Sequence, residues 1–64
     1  MRKLMKDGQE IADGSEIGRK GELVIRLIQV FQDRDHILVD YEASYGTSSR
    51  KCLPSAVGGE IVDD

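Results

Sequence analysis

Residues 21–42 read GELVIRLIQVFQDRDHILVDYE, and the fold turns on whether this stretch is two strands or a helix followed by a strand. An apolar run from Leu23 to Phe31 is separated from Ile37 to Tyr41 by the polar cluster Gln32-Asp33-Arg34-Asp35, the pattern of a long hairpin. Val24, Ile25, Ile28 and Val30 are β-branched, which suits a pleated surface and restricts χ1 in a helix. In the second arm Ile37, Val39 and Tyr41 alternate with Leu38, Asp40 and Glu42 at the period of a half-buried strand. Leu23, Leu27, Val30 and Phe31 also share one face of a helix of about 3.6 residues per turn, so helix stands as the alternative and strand as the favoured reading of the first arm. As a strand, that arm is apolar on both faces: Leu23, Ile25, Leu27 and Phe31 on one, Val24, Ile28 and Val30 on the other. A flat, half-solvated sheet has no use for this pattern. A long bent strand serving two packed sheets does, because each half turns a different face inward.

On the N-terminal side, Arg2 to Ala12 splits around Asp7-Gly8, a pair that supplies the positive φ of a tight hairpin turn. Short strands near Lys3 to Lys6 and Gln9 to Ala12 follow from it. Asp13-Gly14-Ser15 reads as a second turn, and Gly18 and Gly21 bracket Arg19-Lys20 in a third, so residues 1–14 read as a loop-rich N-terminal hairpin. On the C-terminal side, Ala43 to Ser49 is turn-rich and is followed by a short strand, Arg50 to Leu53. Pro54 ends that strand because it cannot donate to a ladder. Ser55-Ala56-Val57 has the length of a three-ten turn, and Gly58-Gly59 lets the chain reverse into a last strand, Glu60 to Val62.

A chain of 64 residues is one small domain, near the size where a single core barely offsets the entropy of folding. The single cysteine, Cys52, has no internal partner for a disulfide, and with one histidine the chain cannot furnish a four-ligand zinc site, so the expectation is of no metal and no cofactor. Leu4 and Met5 are followed at once by Lys6 and Asp7, which leaves no apolar stretch of the kind a signal peptide needs. The low-charge run Leu23 to Phe31 contains Arg26 and is far short of the roughly 20 apolar residues of a membrane span. A cytoplasmic protein without a membrane role is expected. Twelve acidic and nine basic residues give a net charge of −3, which argues against a general polyanion binder, and no block of like charge suggests a disordered tail.

The order of these elements resembles the SH3-like small β-barrel, in its bacterial or phage-type form, over residues 15–62. Ser15-Glu16-Ile17 and Gly21-Glu22 lead into the two long arms, and Cys52-Leu53-Pro54-Ser55-Ala56-Val57 leads into Glu60 to Val62. The resemblance implies an all-β fold, a five-stranded barrel core with a short three-ten turn before the last strand. Peptide-binding members of that family read proline-rich ligands with a tryptophan and a tyrosine of the three-ten turn. This chain has no tryptophan and carries Ala56 and Val57 in the turn. Val39-Asp40-Tyr41-Glu42-Ala43 matches the family's aromatic signature in type but falls in the wrong strand. Proline-rich recognition is therefore not carried over, and KOW-like and Tudor-like relatives show that the architecture hosts nucleic-acid and protein binders alike.

Four features are candidates for function. Cys52 has Arg50 and Lys51 beside it but no base close in sequence, and a lone cysteine is ordinarily a small apolar filler. Asp33-Arg34-Asp35-His36 carries metal-binding residue types without diagnostic spacing and reads as a charged hairpin tip. Exposed Tyr45 with Arg50 and Arg19 forms the expected contact face for a protein partner, since aromatic and Arg side chains anchor interfaces. The alternative takes the basic pairs Arg19-Lys20 and Arg50-Lys51 as a nucleic-acid surface near Tyr45. Unpaired sheet edges add a route to homo-oligomers, for which Glu60 to Val62, ending in Asp63-Asp64, is the candidate strand. Glu10, Glu16 and Glu22 do not converge, so the expectation is a non-enzymatic protein-interaction module of a small regulatory protein.

Overall fold

The computed structural model describes residues 1–63, so the second of the two terminal aspartates lies outside the described residues. Within them the chain runs β1 (Arg2–Lys6), β2 (Gln9–Ile11), β3 (Glu16–Lys20), β4 (Leu23–Val30), β5 (Ile37–Ala43), β6 (Gly46–Cys52), a three-ten turn (Pro54–Val57) and β7 (Glu60–Asp63). The architecture is all-β. It consists of two antiparallel sheets, one of order β2-β1-β7 and one of order β3-β4-β5-β6. The five-stranded count expected from the resemblance is thus exceeded, and no ladder among the described residues closes the two sheets into a barrel.

Asp7 and Gly8 adopt φ of 53° and 77°, and with Lys6 paired to Gln9 they form the two-residue turn that the Asp-Gly pair demands. The β1-β2 hairpin is integrated with the rest of the chain, because β1 pairs with β7 on its other edge and Leu4 is fully buried. The core is one cluster of Leu4, Ile17, Leu27, Ile37, Val39 and Val57, with Ile11, Ile25, Val30, Tyr41, Cys52 and Ile61 packed around it. Side chains join the sheets where ladders do not. The Gln32 amide accepts from the Arg2 N–H at 2.9 Å and donates to the Arg2 carbonyl at 3.0 Å, standing in for a strand neighbour of β1. Lys6 Nζ donates to the Ile17 carbonyl at 2.9 Å.

Residues 23–30 are strand, which removes the helical alternative. Their two apolar faces have a local cause. The β4-β5 register shifts between Leu27 and Gln29, so Ile28 is an extra residue and the alternation changes phase there. Leu27 opposes Val39 before the shift and Val30 opposes Ile37 after it, which keeps both on the core face. The bulge is tied down from outside, as Leu27 accepts from the Gly14 N–H at 2.7 Å and donates to the Ser15 carbonyl at 2.9 Å.

Two turn assignments are corrected. Arg19-Lys20 is the end of β3, and the turn before β4 is formed by Gly21-Glu22. The stretch Ala43 to Ser49 holds only a two-residue turn, Ser44-Tyr45, after which β6 runs for seven residues. Serine and threonine are read as turn formers because their hydroxyls bond their own backbone, but here the hairpin ladder from Ala43-Gly46 to Ile37-Cys52 takes that backbone up. The end of β6 follows expectation: Pro54 opens the three-ten turn, and Gly58, at φ 75°, caps it by donating its N–H to Ser55.

Candidate interaction face

Paired residues of an antiparallel ladder share a face, so the register assigns every side chain of the large sheet to one side or the other. The core face carries Leu23, Ile25 and Leu27 from β4, Ile37, Val39, Tyr41 and Ala43 from β5, and Ser48, Arg50 and Cys52 from β6. The small sheet covers only one end of it. Ile37 and Val39 are fully buried, whereas Tyr41 and Ala43, farther along β5, are half-buried. The β5-β6 hairpin thus projects past the core and leaves an uncovered half-face.

That half-face is aromatic and cationic. Leu23, Tyr41, Ala43, Tyr45 and Ser48 line an open groove of about 260 Å³. Tyr45, at the hairpin turn, is 88% exposed, and its ring lies free at the end of the groove. The Arg50 guanidinium sits 5.7 Å from the centre of the Tyr41 ring, within the range of a cation–π contact. Tyr41 and Arg50 owe this to diagonal placement, since Tyr41 pairs with Ser48 and Arg50 with Val39. The sequence singled out Tyr45 and Arg50 but missed Tyr41, whose membership follows from the even spacing of Val39, Tyr41 and Ala43 once the register with β6 is known.

Arg19 is not part of this face. It lies on β3, the opposite edge of the large sheet from β6, and its partner Val24 puts it on the outer face. Its guanidinium donates to Glu16 at 3.0 Å. Lys20 lies on the core face but at the β3 edge, so three strand spacings, roughly 14 Å, separate it from β6. Lys51 pairs with Leu38 on the outer face, where its ammonium is 5.8 Å from the centre of the Phe31 ring, and Arg34 lies 5.6 Å from the same ring. The four residues of the two basic pairs are therefore divided between two edge strands and two faces, and no single patch holds them.

The other candidates resolve into packing and local pairing, except that the His36 Nδ1 is buried without a hydrogen-bond partner among the described residues. Cys52 pairs with Ile37 and packs against the core, and burial pushes its thiol pKa up, away from the thiolate a nucleophile needs. In the charged tip, Asp33 is bound by Arg34 at 3.0 Å, and the hydrogen bond with that guanidinium holds its carboxyl below the usual range. Asp35 is bound by Arg2. The His36 carbonyl accepts from the Phe31 N–H at 3.1 Å. Among the described residues no group of three His, Cys, Asp or Glu side chains converges as a metal site, and no helix is long and apolar enough to cross a membrane. Comparison with family models, curated proteins and solved structures returns no match for the chain.

Proposed function

We propose that this domain is a non-enzymatic protein-interaction module that engages its partner through Tyr41, Tyr45 and Arg50. The observation that carries the reading is the uncovered half-face: a fully projecting tyrosine, a groove beside it, and an arginine stacked on a second tyrosine. Tyr loses little side-chain entropy for the area it buries, and Tyr and Arg are enriched among the residues that dominate interface energetics. The rigid β5-β6 ladder holds them in place before any partner arrives, which lowers the ordering cost of binding.

The proposal includes an SH3-like architecture. The antiparallel pairing of first and last strands, the β4-β5-β6 meander and the three-ten turn before β7 support it. A non-catalytic role is supported by the partly buried thiol of Cys52, whose pKa burial raises, and by the scattering of the carboxylates into ion pairs. The same proposal sets the domain in the cytoplasm, where a free cysteine persists. The nucleic-acid alternative has less support, because Arg19 and Lys20 lie on a different edge from Arg50 and Lys51.

The test is affinity capture from a lysate of the source cells at low and high salt, with and without nuclease, using the native domain and a Tyr45→Ala/Arg50→Ala variant whose fold is verified by circular dichroism. A protein band that survives nuclease and disappears with the variant supports the module. Nucleic acid retained at low salt and released at high salt would replace it with the alternative.

A further inference from the structure

Among the described residues β6 has one strand neighbour, β5. It pairs with β5 along its whole length, Gly46 to Cys52, and stands at the edge of the large sheet. The two-residue turn makes Ala43 and Gly46 the closing pair of the hairpin. The alternation of an antiparallel ladder then aims the backbone groups of Gly46, Ser48, Arg50 and Cys52 at β5, and those of Thr47, Ser49 and Lys51 outward. Among the described residues no backbone group bonds to these outward positions. A row of alternating free N–H and C=O groups is a template for one more strand.

Charge narrows what that strand is. Arg2, Arg19, Arg26 and Arg34 are each bound to a carboxylate, and Lys6 to a carbonyl. Arg50 and Lys51 have no carboxylate among the described residues and rest instead over the rings of Tyr41 and Phe31. Consecutive strand residues point to opposite faces, so the free edge offers one cation on each side of the sheet. The β6 sequence GTSSRKC contains no acidic residue.

We infer that the β6 edge binds an extended acidic segment of a partner protein by strand addition, with two consecutive carboxylates reaching Arg50 and Lys51 on opposite faces. The inference rests on the reading of the domain as an interaction module and names the chemistry of its partner. A peptide fits better than a nucleic acid because the edge displays donors and acceptors in alternation, which another peptide backbone matches and a phosphate backbone, rich in acceptors alone, does not. A symmetric pairing of β6 with β6 of a second copy would bring four cations into one ladder with no carboxylate between them, which disfavours self-association at this edge.

The experiment titrates the whole 15N-labelled domain with a capped peptide, acetyl-Thr-Val-Asp-Glu-Val-Thr-amide, and follows amide shifts and hydrogen exchange. Slowed exchange at Thr47, Ser49 and Lys51 is expected, with Ser48 and Arg50 already protected by β5. Replacing Asp-Glu by Lys-Lys, or N-methylating alternate peptide residues, abolishes the effect. Neutralising either cation, Arg50→Gln or Lys51→Gln, weakens binding by roughly two- to fivefold, and an Arg50→Glu/Lys51→Glu domain prefers the Lys-Lys peptide. The inference is overturned by outward amides that do not respond to the acidic peptide, by equal binding of the Lys-Lys peptide, by β6-mediated dimers that the peptide does not disperse, or by single-stranded oligodeoxythymidylate protecting the same amides. The two readings separate through Tyr45→Ala alone, since Arg50 serves both: loss of partner capture in Tyr45→Ala without edge protection leaves the module and removes strand addition, and edge protection with capture unchanged by Tyr45→Ala leaves strand addition and removes the tyrosine face.

Discussion

Leu4→Ala is the substitution that most sharply tests how the N-terminal hairpin relates to the rest of the domain. Leu4 is fully buried and belongs to the same cluster as Ile17, Leu27, Ile37, Val39 and Val57. Its surroundings have little freedom to close over a void. β1 is held on both sides by β2 and β7, and the backbone at Gly59 already lies so near that a Cβ there would meet Leu4 Cδ1 at 3.0 Å. Buried Leu→Ala changes cost about 2–5 kcal/mol, and poor relaxation sets the expectation at about 3. For a domain of this size each kcal/mol moves the melting temperature by about 4–8 °C, so a fall of about 12–24 °C is expected. A core this small supplies only about 3–5 kcal/mol in total, so about 0–2 kcal/mol remains and the unfolded share of the variant at room temperature lies between a few per cent and about half. Thermal and urea unfolding followed by circular dichroism measure the effect, with Glu10→Ala on exposed β2 as the control. A fall of less than about 4 °C, below the equivalent of 1 kcal/mol, would refute the placement of β1 in the core.

Gly59→Ala meets no backbone penalty, since Gly59 is not in the left-handed region, but its Cβ would lie 3.0 Å from both Leu4 Cδ1 and the Met5 carbonyl oxygen. A loss of about 1–3 kcal/mol is expected from overpacking, read from the urea midpoint, and a stabilised variant would contradict the β1-β7 packing. Arg26→Gln removes the ion pair to Glu42 at 3.1 Å and the bond to the Gly14 carbonyl at 2.9 Å, half-exposed contacts whose loss costs about 1 kcal/mol. An unchanged midpoint would show that this bracket over the β4 bulge contributes nothing. Cys52 in the folded domain is expected to react with iodoacetamide more slowly than in the urea-unfolded chain at the same pH, because burial raises the thiol pKa. The sign for stability follows: the neutral thiol is favoured in the fold, so its contribution is present below the unfolded thiol's pKa and is lost as pH rises through the folded one. Equal alkylation rates in the two states would contradict its burial.

The strongest local rules of the sequence carried through to three dimensions. Asp7-Gly8 could only be a tight turn, Pro54 could only stop a strand, and the alternation of Ile37, Val39 and Tyr41 marks the core face of β5. What the sequence hid has equally physical causes. The two apolar faces of residues 23–30 do suit a bent strand, but a pattern of side chains does not locate the extra residue, Ile28, that shifts the phase. The first half of β6, Gly46 to Ser49, passes for a loop because an edge strand with exposed residues from Gly46 to Lys51 has no apolar alternation to reveal it, and only its end, from Arg50, reads as strand. For the site, Tyr45 and Arg50 are visible as exposed anchor types, whereas Tyr41 becomes their neighbour only through a register that no composition encodes. Arg19 shares their side-chain chemistry, but strand order separates it from them.

The most direct measurement is the affinity of the captured partner for the native domain and for Tyr45→Ala, by isothermal titration, with Glu10→Ala as a distant surface control. A tyrosine that anchors the contact loses at least about 2 kcal/mol on truncation, a weakening of roughly thirtyfold, while Glu10→Ala binds as the native domain does. Equal affinity of Tyr45→Ala and the native domain, with both folded, would contradict the assignment of the projecting β5-β6 half-face as the binding surface.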